Sequence, residues 1–322
     1  MVNLEVFDVR LDRSNSTYLA GDVLNGVVYM SVTPKQRVKV KDILVTLSGE
    51  AKTNWVNKLS DNIYDTLEPY LNERQSLKNQ LDDIFDQEGA LPAGVHRVQF
   101  QFALPPTLPS SYEGEFGYVR YTCHAEIHIV NAEIPRSMSF RRGFSSRNKT
   151  LSLEKPILVI AQVDVSQLTP VGPSRGLRKE DGIETAGCCG VRVGYINAAL
   201  SVQQSAYVVG QAIPVDVEIE NYSRRRLPSP PCVSLVQDVH FRSVSYFQTA
   251  CDSKTVTRLM HSVQVDNPER GQSVSKQVLV HIPPNAPATS IGNTIITVSY
   301  KLRLEVGECF EIVLPIGVAS KL

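Results

Sequence analysis

An excess of charge is the first thing this sequence lacks. Lysine and arginine total 33 and so do aspartate and glutamate, leaving a formal net charge of zero. A nucleic-acid binder carries a basic excess, so that class is disfavoured, although a local patch is still allowed. A long apolar run is also missing. No stretch approaches the roughly 18 residues that a spanning helix needs. The first residues, MVNLEVFDVRLDR, read as a strand and not as a secretion signal. Cysteine is sparse: Cys123, Cys188, Cys189, Cys232, Cys251 and Cys309 are scattered over 322 residues. That is not a disulfide scaffold, and it points to reduced thiols and a cytosolic protein. Catalytic signatures are lacking too: there is no Gly-x-Ser-x-Gly, phosphate loop, His-Glu-x-x-His or paired Cys-x-x-Cys. The chain reads as non-enzymatic and implies no cofactor or metal.

What is present is alternation. Val2–Leu11, Tyr18–Val32, Lys39–Gly49 and Gly94–Leu104 alternate apolar and polar residues between turn signals, as strands do. Asn57–Gly89 is ambiguous. Its leucines and isoleucines have helical spacing but Pro69 interrupts them, so a short helix and an irregular strand both fit. Trp55, the single tryptophan, reads as a core or strand-end residue. Thr169–Gly190 collects prolines and glycines around Lys179, Glu180 and Asp181 and reads as a linker. Beyond it, Cys232–Thr249 is one long strand or two short ones. Arg258–Val265 and Val274–Ile282 suggest an antiparallel pair, and Gly307–Glu308 a tight hairpin turn.

The two halves share a grammar. Leu104–Val130 is a proline-rich turn, an acidic glycine loop and then an alternating strand; Ile282–Val306 repeats the proline turn and the strand. Tyr18–Val32 and Tyr207–Asn221 each place a glycine three positions after a tyrosine and then enter a strand. Many short alternating strands, in two matching sets, predict an all-β protein of two β-sandwiches. The expected division is 1–166, a linker at 167–187, and 188–318.

Few side chains advertise chemistry. Cys123 and His124 are adjacent, so in a strand they face opposite sides and cannot form a catalytic pair. Cys188–Cys189 lacks histidines at zinc spacing. Arg136, Arg141, Arg142, Arg147 and Lys149 lie within fourteen positions. That run is either a solvated loop or a contact site for phosphorylated tails or acidic headgroups, since the guanidinium fork suits phosphate. Arg224, Arg225 and Arg226 form a smaller cluster that could face a membrane. The sandwich edges could also accept an extended peptide.

Taken together, GDVLNGVV at Gly21–Val28, the block at Leu104–Ile127, the Cys188–Cys189 pair, YVVGQAIPVDVEIEN at Tyr207–Asn221 and the Ile282–Val306 stretch occur in one collinear order. In that order the chain resembles the arrestin superfamily, and within it the arrestin-domain-containing proteins, or alpha-arrestins. The resemblance implies two immunoglobulin-type arrestin sandwiches joined by a hinge. It implies a cytosolic adaptor, peripheral at plasma membrane and endosomes, that binds receptors or transporters. Such adaptors recruit a HECT-type ubiquitin ligase and direct endocytosis and sorting. It places cargo on a basic surface of the N domain, with Arg10 and Arg120 as candidates beside Arg141 and Arg142. Ligase recruitment in the family uses Pro-Pro-x-Tyr in a tail; here the Pro-Pro pairs lead to Leu108, Val233 and Ala286. Asn25 stands where visual and beta-arrestins place an acidic residue, which argues against their ionic latch. A thioredoxin-binding member uses a reactive cysteine in the region of Cys251, whose flanks differ here, which favours a simple structural thiol over a reactive one. A Vps26-type retromer coat subunit, also a double arrestin sandwich, is the alternative reading.

Overall fold

In the computed structural model, alternating apolar residues build two units of antiparallel sheet. The structure describes residues 4–34, 38–58, 61–87, 89–130, 149–168, 177–186, 192–223, 226–245, 250–292 and 294–321. The first unit comprises residues 1–52 and 67–160, the second 53–66 and 161–322.

The first unit holds β1 (Val6–Leu11), β2 (Thr17–Leu19), β3 (Val23–Val32), most of β4 (Lys39–Asn57) and β5 (Asn62–Ser76), whose residues 53–57 and 62–66 belong to the second unit, and the short helix α1 (Lys78–Asp82). It continues with β6 (Gly94–Ala103), β7 (Tyr112–Gly114), β8 (Gly117–Val130) and β9 (Lys149–Ile160). One sheet has the order β1-β3-β6; the other runs β2-β9-β8-β4-β5, with β7 pairing β8. The strand β8 shows why these residues form a sandwich wall. Val119, Tyr121, Cys123, Ala125, Ile127 and Ile129 are all buried, while Arg120 between them is exposed. Burial pushes the Cys123 thiol up to about 12, which suits an inert core residue. His124, on the other face, lies 3.8 Å from Glu126.

The ambiguous 57–89 region contains both expected elements, the strand β5 and the helix α1. Pro69 is tolerated because β5 is an edge strand with a free side for a residue that lacks an N–H. Leu77 and Leu81 anchor α1 in the core. From there Gln80 covers the open edge of β6: its side-chain amide accepts from the Gln99 N–H and donates to the Gln99 carbonyl. A side-chain amide thus takes the place of a neighbouring strand, which protects the edge.

The second unit holds α2 (Val165–Leu168), β10 (Leu177–Ala186), β11 (Arg192–Val202), β12 (Ala206–Val208), β13 (Ala212–Asn221) and β14 (Cys232–Val244). It ends with β15 (Cys251–Gln264), β16 (Gln272–His281), β17 (Ile296–Val306) and β18 (Phe310–Ala319). Its sheets run β10-β11-β13-β16 and β12-β18-β17-β14-β15. Two expectations are corrected. Residues 177–186, read as linker, are the strand β10, which pairs antiparallel with β11. Residues 179–182 are exposed on both faces, so β10 is held by backbone pairing and leaves no apolar period to read. The segments Arg258–Val265 and Val274–Ile282 are not partners either. β15 pairs with β14 and β16 with β13, in opposite sheets. Alternation marks a strand but carries no information about which strand lies beside it. The Gly307 hairpin between β17 and β18 is as expected. Within this unit Trp55 is buried, stacks on Tyr64 and donates its indole N–H to Asp252 at 3.0 Å.

The repeated grammar becomes a repeated corner. In the first unit the Tyr121 hydroxyl donates to the Pro109 carbonyl at 2.7 Å; in the second the Tyr300 hydroxyl donates to Pro287 at 2.6 Å. Gly21 and Gly210 both turn with positive φ, +90° and +80°, beside Pro106 and Pro284. There glycine avoids a strained left-handed backbone. The Leu104 N–H meets the Asp22 carbonyl, and the Ile282 N–H meets Gln211. Three-residue parallel pairings, β2 with β9 and β12 with β18, close each unit in the same way.

Tyr300 has a second duty, accepting from the buried Gln237 amide at 2.7 Å. Removing a hydroxyl that partners buried groups costs about 1 kcal/mol per bond. Tyr121→Phe should therefore destabilise by roughly 1 kcal/mol and Tyr300→Phe by roughly 2 kcal/mol. Urea unfolding of each variant measures the difference; equal losses would show that the Gln237 contact contributes nothing.

Candidate functional site

The outer face of the β1-β3-β6 sheet is a wide cleft of about 510 Å³. Arg10, Asn25, Val27 and Tyr29 contribute to it from β1 and β3, and Gln99 and Gln101 from β6. Gln75 and Gln80 line one side. The alternation of β6 explains the division: Val98, Phe100 and Phe102 are buried, leaving Arg97, Gln99 and Gln101 exposed.

Two cations converge on one ring. Tyr29 on the central strand lies opposite Arg97 in register. The Arg97 guanidinium is 5.4 Å and the Arg10 guanidinium 4.5 Å from the ring centre. Such contacts orient a guanidinium while leaving its edge donors available to a ligand. Arg10 also touches Asp8 at 3.3 Å, and Lys155 lies 3.6 Å from the same carboxylate. Burial alone would raise the Asp8 carboxyl, but Arg10 and Lys155 hold it below the usual carboxylate range.

The other end of the cleft is acidic. Asp12 accepts from the Tyr18 hydroxyl at 2.5 Å and from the Asn25 amide at 3.2 Å. Burial would raise the Asp12 carboxyl; the hydrogen bonds from Tyr18 and Asn25 outweigh it and hold the pKa low. Burial and the neighbouring Asp12 charge push the Tyr18 phenol up. Arg13 is paired with Asp22 at 2.7 Å and lies over the Tyr18 ring. Asn25, singled out as the neutral replacement for an acid, here donates to one. The second unit presents a contrasting cleft of about 420 Å³, lined by Glu180, Asp181, Glu218 and Glu220.

Not all sequence-predicted residues meet at the cationic cleft. Arg10 is there. Arg120 lies on β8 in the other sheet, where it forms a bidentate pair with Glu113 at 2.7 and 2.9 Å. Its guanidinium also covers the Tyr118 ring at 3.8 Å. Arg136, Arg141, Arg142 and Arg147 lie outside the described residues, as do Cys188, Cys189, Arg224 and Arg225. Lys149 begins β9, and its side chain is outside the described set. Arg226 is exposed and paired with Glu269 at 2.6 Å. Cys251 is an exposed free thiol at the start of β15. Sequence reasoning did not select Arg97 or Tyr29. The amide-rich polar face of β6 was visible, but its neighbours were not. Among the described residues no group of three or more His, Cys, Asp or Glu could hold a metal ion, and no helix is long and apolar enough to cross a membrane.

Tandem sandwiches, one presenting a broad polar cleft, define a binding scaffold of the arrestin type. The descriptions "Arrestin (or S-antigen), N-terminal domain" and "Arrestin (or S-antigen), C-terminal domain" match residues 7–166 and 193–319. Arrestin domain-containing protein 17 of Caenorhabditis elegans is 26% identical, covering 99% of this chain and 71% of the relative. Arrestin domain-containing protein 15 of the same organism is 24% identical over 94% of this chain and 76% of its own. Human arrestin domain-containing protein 1 is 26% identical over 94% of this chain and 61% of its own length. The chain belongs to the arrestin family, as an arrestin-domain-containing, alpha-arrestin member. It is an arrestin-like adaptor.

Asp12 has a depressed pKa in the folded state, so its stabilisation is fully present above the unfolded value of about 4. It is lost as pH falls through the lower folded value. Asp12→Asn should therefore melt below the parent protein at pH 7, and the gap should close progressively below about pH 4. Paired thermal melts across pH 2–7 check this; a gap that is constant with pH would show that the carboxylate charge is not what stabilises.

Proposed function

We propose that this chain is a cytoplasmic adaptor that binds cytosolic segments of membrane receptors or transporters through the cleft of its first unit. It carries them toward ubiquitination, endocytosis and endosomal sorting, at the plasma membrane and endosomes. The observation that supports this most directly is the grouping of Arg10 and Arg97 on Tyr29 within the family-matched N-terminal sandwich. Two guanidiniums on an open sheet face favour acidic or phosphorylated segments. A HECT-type ubiquitin ligase is the proposed downstream partner, engaged through a Pro-Pro-x-Tyr tail that these 322 residues do not contain. Arg224, Arg225 and Arg226 would face acidic lipids, and Arg141 and Arg142 would add to the cargo surface. Cys251, exposed on β15, is read as a simple thiol, with a reactive role as the alternative.

Cross-linked capture of the full-length gene product, followed by mass spectrometry, tests the reading. Receptors or transporters recovered with a HECT ligase support it; retromer components alone would overturn it and favour a coat subunit. In the same capture, Arg10→Gln with Arg97→Gln should reduce cargo recovery about three- to tenfold, and added salt should do likewise. Arg120→Gln should leave recovery unchanged, because Glu113 already occupies that guanidinium. Loss with Arg120→Gln alone would move the site to the other sheet.

A further inference from the structure

The cationic cleft carries charge of both signs: at the Tyr29 end Asp8 stands opposite the ring and is shared by Arg10 and Lys155, and with Arg97 the cations there outnumber it. Arg97 stands opposite Tyr29, and Arg10 reaches the same ring. Asp12 sits at the far end, where its N–H meets the Asn25 carbonyl and its carboxylate accepts the Asn25 amide. Tyr29 and Asn25 are four residues apart on β3, about 13 Å at the rise of an extended strand. Between them Val27, Gln99 and Gln101 line the cleft, and Arg10, rooted opposite Val27, turns its guanidinium to the Tyr29 ring. Arg13, the cation nearest Asp12 in sequence, is paired with Asp22 and acts on Asp12 through its charge alone.

We infer that this cleft selects a dipolar segment: an extended peptide with an acidic side chain against Arg10, Tyr29 and Arg97, and a lysine or arginine four positions away against Asp12. The spacing follows from strand geometry. Residues i and i+4 of an extended chain project to the same side and lie as far apart as Tyr29 and Asn25. A second acidic group at that position would meet Asp12 and be repelled, so charge is read by its pattern and not by its sum. The carboxamides between the two ends can pair with the main chain of the bound segment without regard to its sequence. This inference rests on the reading that the first unit's cleft receives cargo, and it narrows that cargo to one charge arrangement.

The test is fluorescence anisotropy with labelled decapeptides of one neutral scaffold, carrying Glu-x3-Lys, Glu-x3-Glu, Lys-x3-Lys or Gln-x3-Gln, titrated with the full chain. Glu-x3-Lys should bind tightest, about fivefold better than Glu-x3-Glu. Asp12→Asn should erase that advantage, and Arg97→Gln should weaken both glutamate peptides. A Glu-x2-Lys peptide, which turns the lysine to the opposite side, should lose the advantage on the unmodified protein, so the result does not depend on a variant that folds poorly. If Glu-x3-Glu binds as well or better while remaining sensitive to Arg97→Gln, the dipolar rule falls and the cleft stands as the cargo site. Equal affinity for all four peptides, or binding of none, overturns both.

Discussion

A tyrosine hydroxyl bonded to a proline carbonyl is the contact on which each unit turns. Tyr121 reaches Pro109 and Tyr300 reaches Pro287. The energy of one such bond is modest, on the order of 1 kcal/mol net. Its importance is positional. It pins a proline-rich crossing to the middle of a core strand, and that crossing leads from one sheet to the other. In the first unit the crossing then ties Ser111 to Val159: the Ser111 N–H donates to the Val159 carbonyl at 2.8 Å and the Val159 N–H donates to the Ser111 hydroxyl at 2.9 Å. In the second, Thr289 meets Val318 through the same pair of contacts, at 2.7 and 2.9 Å. With the corner held, the short parallel strands β2 and β12 dock, and the glycine turns at Gly21 and Gly210 deliver the chain into β3 and β13.

That delivery is what positions the binding face. β3 is the central strand of its sheet, so its outward side chains are flanked by β1 and β6. Tyr29 consequently meets arginines from both neighbours, and Asn25 meets Asp12. The mirrored position in the second unit, β13, presents Glu218 and Glu220 beside Glu180 and Asp181. One architecture, used twice, carries faces of opposite charge character. The fold therefore sets where a polar cleft can exist, while outward residues of three strands set what it attracts.

Edges are managed differently along the molecule. β6 is covered by a glutamine side chain from α1, which is itself anchored through Leu77 and Leu81. β15 is instead long and bears Asp252, Lys254 and Arg258. Those three lie in register with Ser243, Phe241 and Gln237 of β14, which are buried; Asp252 and Lys254 are half-buried and Arg258 exposed, so charge lines the rim of the core at an edge strand. Charge of this kind discourages pairing with another chain. The first edge is closed by a surrogate hydrogen-bond partner and the second by a desolvation penalty.

Alternation by itself determined most of the strands, because burial on one face selects apolar residues at every second position. The Tyr18 and Tyr207 turns and the two proline blocks were enough to reveal duplication and kinship. Where side chains carry no such signal, sequence was silent: residues 179–182 of β10 are exposed on both faces, and only backbone pairing with β11 makes that segment a strand. Partnership was likewise beyond it, as β15 and β16 show by lying in opposite sheets. The cleft belongs to the same category. Arg10 could be named from the chain, but Arg97 joins it, and Arg120 does not, because hydrogen-bond register brings β1, β3 and β6 together and leaves β8 in the other sheet. A residue's face is a local property written in its neighbours; the residue beside it is decided by pairing between strands far apart in the chain.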